Sequence, residues 1–396
     1  MKDILFNEID KIAPQIIRLS KNIHANPELA FNEHKAAKFS IDVLKEHGFE
    51  IEEKAGGLDT AFKATFRGKG DGPAIAYLAE YDALPEMGHA CGHNLIGATS
   101  IGAAIGLSKI MKDLDGTLVL MGTPAEEIGG GKILLLENGA FDNIDFSLMT
   151  HPGRENQIGG HGLAITDVTI EFFGRPAHSS APENGINALT AVLHTFYLID
   201  SMRAAMPLKT NINGIINNGG TAANIIPEYA KATFSVRGAT VGDLQKTLEM
   251  VKTAIRTAEA VTGAKAKVDI DVLYAERYEN MAMAEVYKKY MEELGEYVNY
   301  PNPSAKVGSS DVGNVMIKMP AIHPNVKICD NSVVGHTLEF RDASVTDRAH
   351  EAMIKAAKSL AATGYELFIN ENLRNEALKE HKANVPVYTD TSVKPY

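Results

Sequence analysis

Three short apolar segments constrain the fold of this chain more than any other feature: PAIAYLAEY (73–81), TLVLMG (117–122) and FSLMT (146–150). Each has the length of one strand and runs directly into a polar loop. A continuous apolar run of this length fits a strand buried on both faces. Between the segments lie stretches of helical character, about 98–111 and 132–138. Buried strands alternating with helices predict an α/β layer with a mostly parallel sheet. Two more helices are expected ahead of that sheet. Ile4, Leu5, Ile9, Ile12, Ile16, Leu19 and Ile23 fall near helical spacing over 4–23, and a second helix covers 35–47, ending near Gly48.

After about Ala164 the pattern changes. TDVTIEFFG (166–174) alternates like a half-exposed strand, a helix is expected over 187–203, and 211–219 and 228–238 read as strands. Leu244, Leu248, Val251 and Ile255 mark a helix over 241–262, and 265–274 alternates again. The order β-α-β-β-α-β is that of the ferredoxin-like unit. Helices at 282–294 and about 344–363 return to the first pattern. The expected organisation is an α/β domain of 1–164 and 276–396, interrupted by an inserted α+β domain of 165–275. A tandem arrangement would give the same order of elements, so that order alone leaves insertion open.

The 396 residues include 39 Lys+Arg and 50 Asp+Glu, a formal net charge of −11. This acidic excess argues against a nucleic-acid partner. Two cysteines, Cys91 and Cys329, cannot build a disulfide framework, and a reducing compartment is the simpler reading. No run approaches the ~18 apolar residues of a membrane span. The opening MKDILFNEIDKIAPQIIRLS lacks the apolar core of a signal peptide. A cytoplasmic protein with no membrane partner is expected.

Chemistry gathers at the strand ends. His89, Cys91 and His93 follow the first strand, Glu126 and Glu127 the second, and His151 the third; VVGHTLEF (333–340) adds His336. Ligands of open α/β sheets collect in the crevice at the carboxyl ends of the strands. Residues far apart in sequence therefore converge there. A thiolate, carboxylates and imidazoles form a sensible donor set for a transition metal. Taken singly, Cys91 fits a small buried hydrophobe, Glu126-Glu127 a solvated surface pair and His151 a turn residue. The argument rests on their joint occurrence. Gly129-Gly130-Gly131-Lys132 fails the phosphate-loop pattern, and no GxSxG elbow is present. Gly308-Ser309-Ser310-Asp311 fits a capped helix start, with Ser309 and Asp311 shaping the entrance of the site.

These residues carry a resemblance to the M20 family of metallopeptidases and amidohydrolases, in the branch of aminoacylase-1-like, aminobenzoyl-glutamate hydrolase-like and indole-acetyl-amino-acid hydrolase-like enzymes. The matching stretches include HANPELAFNE (24–33), LAEYDALPEMGHACGHNLIG (78–97), GTPAEEIGGGK (122–132), HPG (151–153), FGRPAHSSAPENGINAL (173–189), GGTAANIIPEYAKATFSVR (219–237), GSSDVGNV (308–315) and GHTLEF (335–340). The resemblance implies a catalytic α/β domain interrupted by a ferredoxin-like lid that also dimerises. It implies two divalent ions, Zn or Mn with Co or Ni admissible, held by Cys91, His93, Glu127, His151 and His336. Glu126 is then the general base, and Asp82 orients a ligating imidazole. The usual His-x-Asp pattern reads Glu80-Tyr81-Asp82 here, so one common ligand is missing. In the lid, His178 is expected to donate to the oxyanion, from its own subunit or a partner's. Asn224 is expected to hold polar groups of the substrate and Arg237 its carboxylate. A structural ion pair is the competing reading for Arg237.

The expected reaction is hydrolysis of the amide bond in N-acyl amino acids or small dipeptides by metal-activated water. A homodimer is expected through the lid. Two divalent ions against one thiolate and Glu127 leave a positive centre, which favours an acidic or carboxylate-bearing substrate. The alternatives are a silent relative that only binds an amino-acid derivative, and a thiol-redox protein using Cys91. The intact donor set with Glu126 argues against the first, and the absence of a nearby second cysteine against the other.

Overall fold

The computed structural model describes residues 2–302, 308–388 and 396. They form two compact units. The first comprises residues up to His161 together with Arg277–Val387; the second comprises Gly162–Glu276 with Tyr388 and Tyr396.

The first unit opens with α1 (Lys2–Ala25), α2 (His34–Glu46), β1 (Glu50–Glu53), β2 (Phe62–Arg67), β3 (Ala74–Ala79) and α3 (His93–Ser108). It continues with β4 (Thr117–Gly122), α4 (Gly131–Glu137), β5 (Phe146–Leu148) and β6 (His151–Gly153). The second unit supplies β7 (Ala164–Phe173), α5 (Ala188–Met202), β8 (Asn211–Asn218), β9 (Tyr229–Gly238), α6 (Val241–Thr262) and β10 (Lys265–Ile270). The chain then returns to the first unit with α7 (Met281–Glu293), α8 (Val312–Met316), β11 (Ala321–Ile322), β12 (Asn325–Lys327), α9 (Leu338–Ala343), α10 (Asp347–Ile369) and α11 (Glu371–Asn384).

The main sheet of the first unit has the order β1-β2-β4-β3-β5-β11. β4, β3, β5 and β11 run parallel, whereas β1 and β2 form an antiparallel edge. The edge strand is four residues long and reads EIEE, a charged sequence that discourages pairing with another chain. Tyr77, Leu78 and Ala79 of β3 and Leu118, Leu120 and Met121 of β4 are fully buried, as the continuous apolar runs predict. All sixteen residues of α3 are buried, and small residues let its neighbours approach. A Cβ on Gly106 would lie 2.5 Å from Ile9 of α1. α1 also contains Pro14 within its length. Interior proline costs about 3 kcal/mol. Burial of Leu5, Ile9, Ile16, Leu19 and Ile23, at about 1.5–3 kcal/mol each, more than offsets it.

The second unit carries an antiparallel sheet of order β10-β7-β9-β8. With α5 and α6 this is the ferredoxin-like arrangement. β9 alternates, burying Ala230, Ala232, Phe234 and Val236. Edge strand β8 is largely exposed, with Ile215 and Ile216 open to solvent. Among the described residues no helix is long and apolar enough to cross a membrane.

One boundary differs from expectation in a way that matters. The helix expected from about Ala98 starts at His93, because Gly92 takes a left-handed conformation (φ 82°) and starts the helix at once. β11 and β12, two and three residues long, are too short to leave a periodic signal.

Candidate metal centre

β4, β3 and β5 are parallel neighbours, so their carboxyl ends lie side by side. Directly past β3 come Glu80 and Asp82, both 1% exposed, and the loop from there leads to Cys91 and His93. Past β4 the loop carries Glu126 and Glu127. Its turn puts Ala125 at φ 59°, a left-handed conformation unusual for a residue with a Cβ. The buried carboxylate of Glu33 holds that turn, accepting the Ala125 N–H at 2.9 Å and the Thr60 hydroxyl at 2.8 Å. Past β5 comes His151, whose strand β6 pairs with β12. His336, also left-handed (φ 62°), is tied to the first loop by its N–H on the Ala90 carbonyl at 2.9 Å.

The side chains converge. Cys91, His93 and His151 place one ligand atom each within 4.8 Å of one another, as do Cys91, Glu127 and His336. Cys91 is common to both groups. His93 Nδ1 donates to Asp82 Oδ1 at 2.9 Å, and His151 Nδ1 donates to the Pro152 carbonyl at 2.7 Å. Both rings therefore turn an Nε2 lone pair into the centre. Nε2 of His93 is buried without a hydrogen bond among the described residues, 3.5 Å from Glu80 Oε2, 3.8 Å from Glu127 Oε1 and 3.9 Å from Glu126 Oε2. Donors on one tetrahedral ion with ordinary bond lengths sit roughly 3.3–3.6 Å apart. Cys91 Sγ and His151 Nε2 are 3.4 Å apart, and Glu127 Oε1 and His336 Nε2 are 3.4 Å apart. Lone pairs facing one another at such spacings fit divalent cations, with His336, its side chain 52% exposed, on the open side of the centre. His89 is different: it is buried and joins none of these groups among the described residues, its ring lying 6.1 Å from that of His24.

Burial pushes the Cys91 thiol well up. Burial opposes a charged His93, yet Cys91 and Asp82 beside it hold its pKa well above the usual value. Glu126 is raised strongly, by burial first and then by the carboxylates of Glu80, Asp311 and Glu127. For Glu127 burial acts upward, but His336 and His93 outweigh it and keep the group low. His151 is lowered to about 4 by burial and by His93.

Two expectations need correction. Asp311 is no entrance residue. It is fully buried, accepting the Lys132 ammonium at 2.7 Å and the Lys132 backbone N–H at 3.0 Å. Lys132, itself fully buried, also pairs with Glu80 at 2.6 Å. The positive surplus at the centre disappears once these groups are counted. Glu80, Asp82, Glu126, Glu127 and Asp311 with a Cys91 thiolate carry −6, Lys132 returns +1, and two divalent ions bring the total to −1. Recognition of a substrate carboxylate then falls to particular donor groups and not to the net charge of the centre. Glu33, Glu80 and Lys132 were not singled out as site residues by the sequence pattern. The only signal for them was that charged residues stand where an apolar strand or helix begins or ends.

In the second unit, His178 is exposed, and its Nδ1 accepts the Ser180 backbone N–H at 3.2 Å. The ring proton is then on Nε2, free to be donated outward. The Asn224 carbonyl accepts the Ser179 N–H at 2.9 Å, so Asn224 and His178 sit on paired loops. Arg237 is half-buried on β9, opposite Ile165 and Asn211.

Gly92 tests the geometry of the centre. Besides its positive φ, a Cβ there would lie 2.6 Å from Pro152 Cγ, next to His151. Gly92→Ala is expected to cost about 2–5 kcal/mol, from left-handed strain and overpacking together, and to lower metal content. Gly57→Ala, at φ 77° with open space around it, isolates the backbone contribution. Unfolding curves that show Gly92→Ala no worse than Gly57→Ala would remove the packing argument.

Residues 164–262 match the peptidase dimerisation domain of the M20 family. The chain is 34% identical over 406 residues to the Xaa-Arg dipeptidase of Mus musculus, covering 95% of this chain and 91% of that protein. It is 26% identical over 440 residues to one of the subunits of the p-aminobenzoyl-glutamate hydrolase of Escherichia coli K12, covering 92% and 91%. In fold it is similar to a dinuclear metal-binding M20 peptidase of Bacillus subtilis, with a TM-score of 0.68 at 21% identity over 91% of this chain and 99% of that one. The extent of the first match, together with a dimerisation domain that coincides with the second unit, leads to one conclusion: the chain belongs to the M20 family of metal-dependent peptidases and amidohydrolases.

Proposed function

We propose that this protein hydrolyses the amide bond of small dipeptides or N-acyl amino acids, with two divalent ions held by Cys91, His93, Glu127, His151 and His336. The observation that carries this reading is the pair of donor groups sharing Cys91, with Glu126 beside them. Bound divalent ions supply an activated water and polarise a carbonyl near neutral pH. Zn or Mn suits the mixed sulfur, nitrogen and oxygen donors, and Co or Ni is admissible. Asp82 locks His93 in the tautomer that offers Nε2, and its other oxygen accepts the Glu127 backbone N–H at 3.0 Å, so one carboxylate aligns two ligands. Glu126 accepts a proton from the attacking water and returns it to the leaving nitrogen. His178 offers an Nε2–H for the oxyanion, while Asn224 and Arg237 hold the polar groups and free carboxylate of the substrate. A homodimer through the second unit is part of this reading, supported by the exposed edge strand β8 with Ile215 and Ile216.

The panel for a first test takes dipeptides ending in Arg and p-aminobenzoyl-glutamate from the relatives named above, and adds N-acetyl-cysteine as a small N-acyl amino acid. Metal-stripped protein is expected to release no amine from any of them. Activity is expected to return on adding Zn or Mn, with about two ions bound per chain by elemental analysis. Hydrolysis that survives stripping would overturn the metal reading. A metal-loaded protein that binds a panel member without cleaving it would favour the binding-only alternative.

A further inference from the structure

His323 stands at the carboxyl end of β11, beside β5, and has no part in the donor groups above. Its ring packs edge to face against His151, with centroids 5.5 Å apart. Its hydrogen bonding is the reverse of that of His93 and His151. Arg277 Nη1 lies 3.0 Å from His323 Nδ1. A guanidinium has no acceptor, so Nδ1 must accept and the ring proton must sit on Nε2. A ring in that state has no lone pair to give a metal from Nε2. It offers an N–H instead.

That N–H is the unexplained group. His323 is 5% exposed, and its Nε2 is buried with no hydrogen-bond partner among the described residues. Buried donors without acceptors are rare in folded proteins and call for an explanation. The residue is also firmly held. Its backbone N–H donates to Glu279 Oε1 at 3.2 Å, and Arg277 is braced by its Nη2 on the His161 carbonyl at 3.2 Å. Arg277, Glu279 and His151 lie directly against His323, and the charges of Lys132 and His93 also reach it. The positive charge of Arg277 behind the ring polarises it, which strengthens Nε2–H as a donor to an anionic oxygen.

We propose that His323 donates its Nε2–H to an anionic oxygen of the bound substrate, and that Arg277 is the positioning residue that fixes the tautomer. The proposal rests on the hydrolase reading above and adds a donor from the first unit that the sequence did not reveal. Two oxygens have the right chemistry: the free carboxylate of the amino-acid half, and the oxyanion that develops on the scissile carbonyl.

The test compares wild type with His323→Phe, which removes the donor, and His323→Gln, whose side-chain amide can restore one near Nε2. Metal content is expected to stay at the wild-type value in both. With the best substrate of the panel, His323→Phe is expected to lower kcat/KM by roughly 10²–10³, and Gln to recover about tenfold of that. A rise in KM, with lost discrimination between a substrate and its carboxamide, assigns the carboxylate. A loss in kcat for both assigns the oxyanion. A Phe variant within threefold of wild type, or one that loses metal, overturns the proposal. Long-range proton–nitrogen NMR on the metal-loaded wild type reads the tautomer without any turnover. Nε2–H is expected, and Nδ1–H would overturn the proposal even if no panel member is cleaved.

Discussion

Glu126→Gln is expected to reduce kcat by roughly 10²–10⁴ while metal content and KM stay near wild type. The substitution keeps the shape of the side chain and removes its capacity to accept a proton. Glu126 is 8% exposed and has its pKa pushed up by burial and by Glu80, Asp311 and Glu127, the direction that makes a carboxylate a better proton acceptor. Distance to His93 does not distinguish it from its neighbour, since Glu126 and Glu127 lie 3.9 and 3.8 Å from Nε2. The distinguishing contact is the one Glu127 makes with His336, at 3.4 Å. Glu127→Gln should therefore behave differently: metal affinity falls, and activity returns in part at high metal concentration. Measuring bound metal and kcat on both variants separates the roles. If Glu126→Gln keeps more than a tenth of the wild-type kcat, Glu126 is not the base. If it loses metal as Glu127→Gln does, it is a ligand.

The parts of this centre that were legible in the sequence share one property. Glu126, Glu127 and His151 sit within a few residues of the end of an apolar strand, Cys91 and His93 lie in the one loop that follows β3, and strand order in a parallel sheet brings such loops together without further information. Charged residues inside the elements gave no such signal. Lys132 follows three glycines and opens a helix, where a lysine ordinarily faces water; its partners are 52 and 179 residues away. Glu33 reaches Ala125 across 92 residues. His323 follows a two-residue strand that leaves no pattern, and its meaning depends on Arg277, which lies across the whole length of α7 and α8 in the chain. A local window registers none of these pairings. The same limit explains the mistaken charge balance: it counted only the ligands, because the other carboxylates become members of the site through tertiary contacts alone.

Lys132→Met is expected to destabilise the first unit by about 3–5 kcal/mol, on the order of 10 °C in the midpoint of thermal unfolding. The methionine fills similar volume, so the effect isolates the charge. Glu80 and Asp311 are 1% and 0% exposed, and each has Lys132 within 2.7 Å. Without the ammonium, two carboxylates remain in a dry interior beside Glu126, and each must protonate or draw in water. Burial already pushes Asp311 up to about 6 even with Lys132 in place. Exposed pairs obey different magnitudes. Lys38 and Asp42, an i,i+4 pair with side chains 71% and 51% exposed, is screened by solvent, and Lys38→Met should leave the unfolding midpoint unchanged. The double variant Lys132→Met, Asp311→Asn removes one of the stranded charges and should regain a measurable part of the loss, a coupling that a packing defect would not produce. A single variant that unfolds within 2 °C of wild type, or a double variant less stable than the single, would show that Lys132 does not neutralise these two carboxylates.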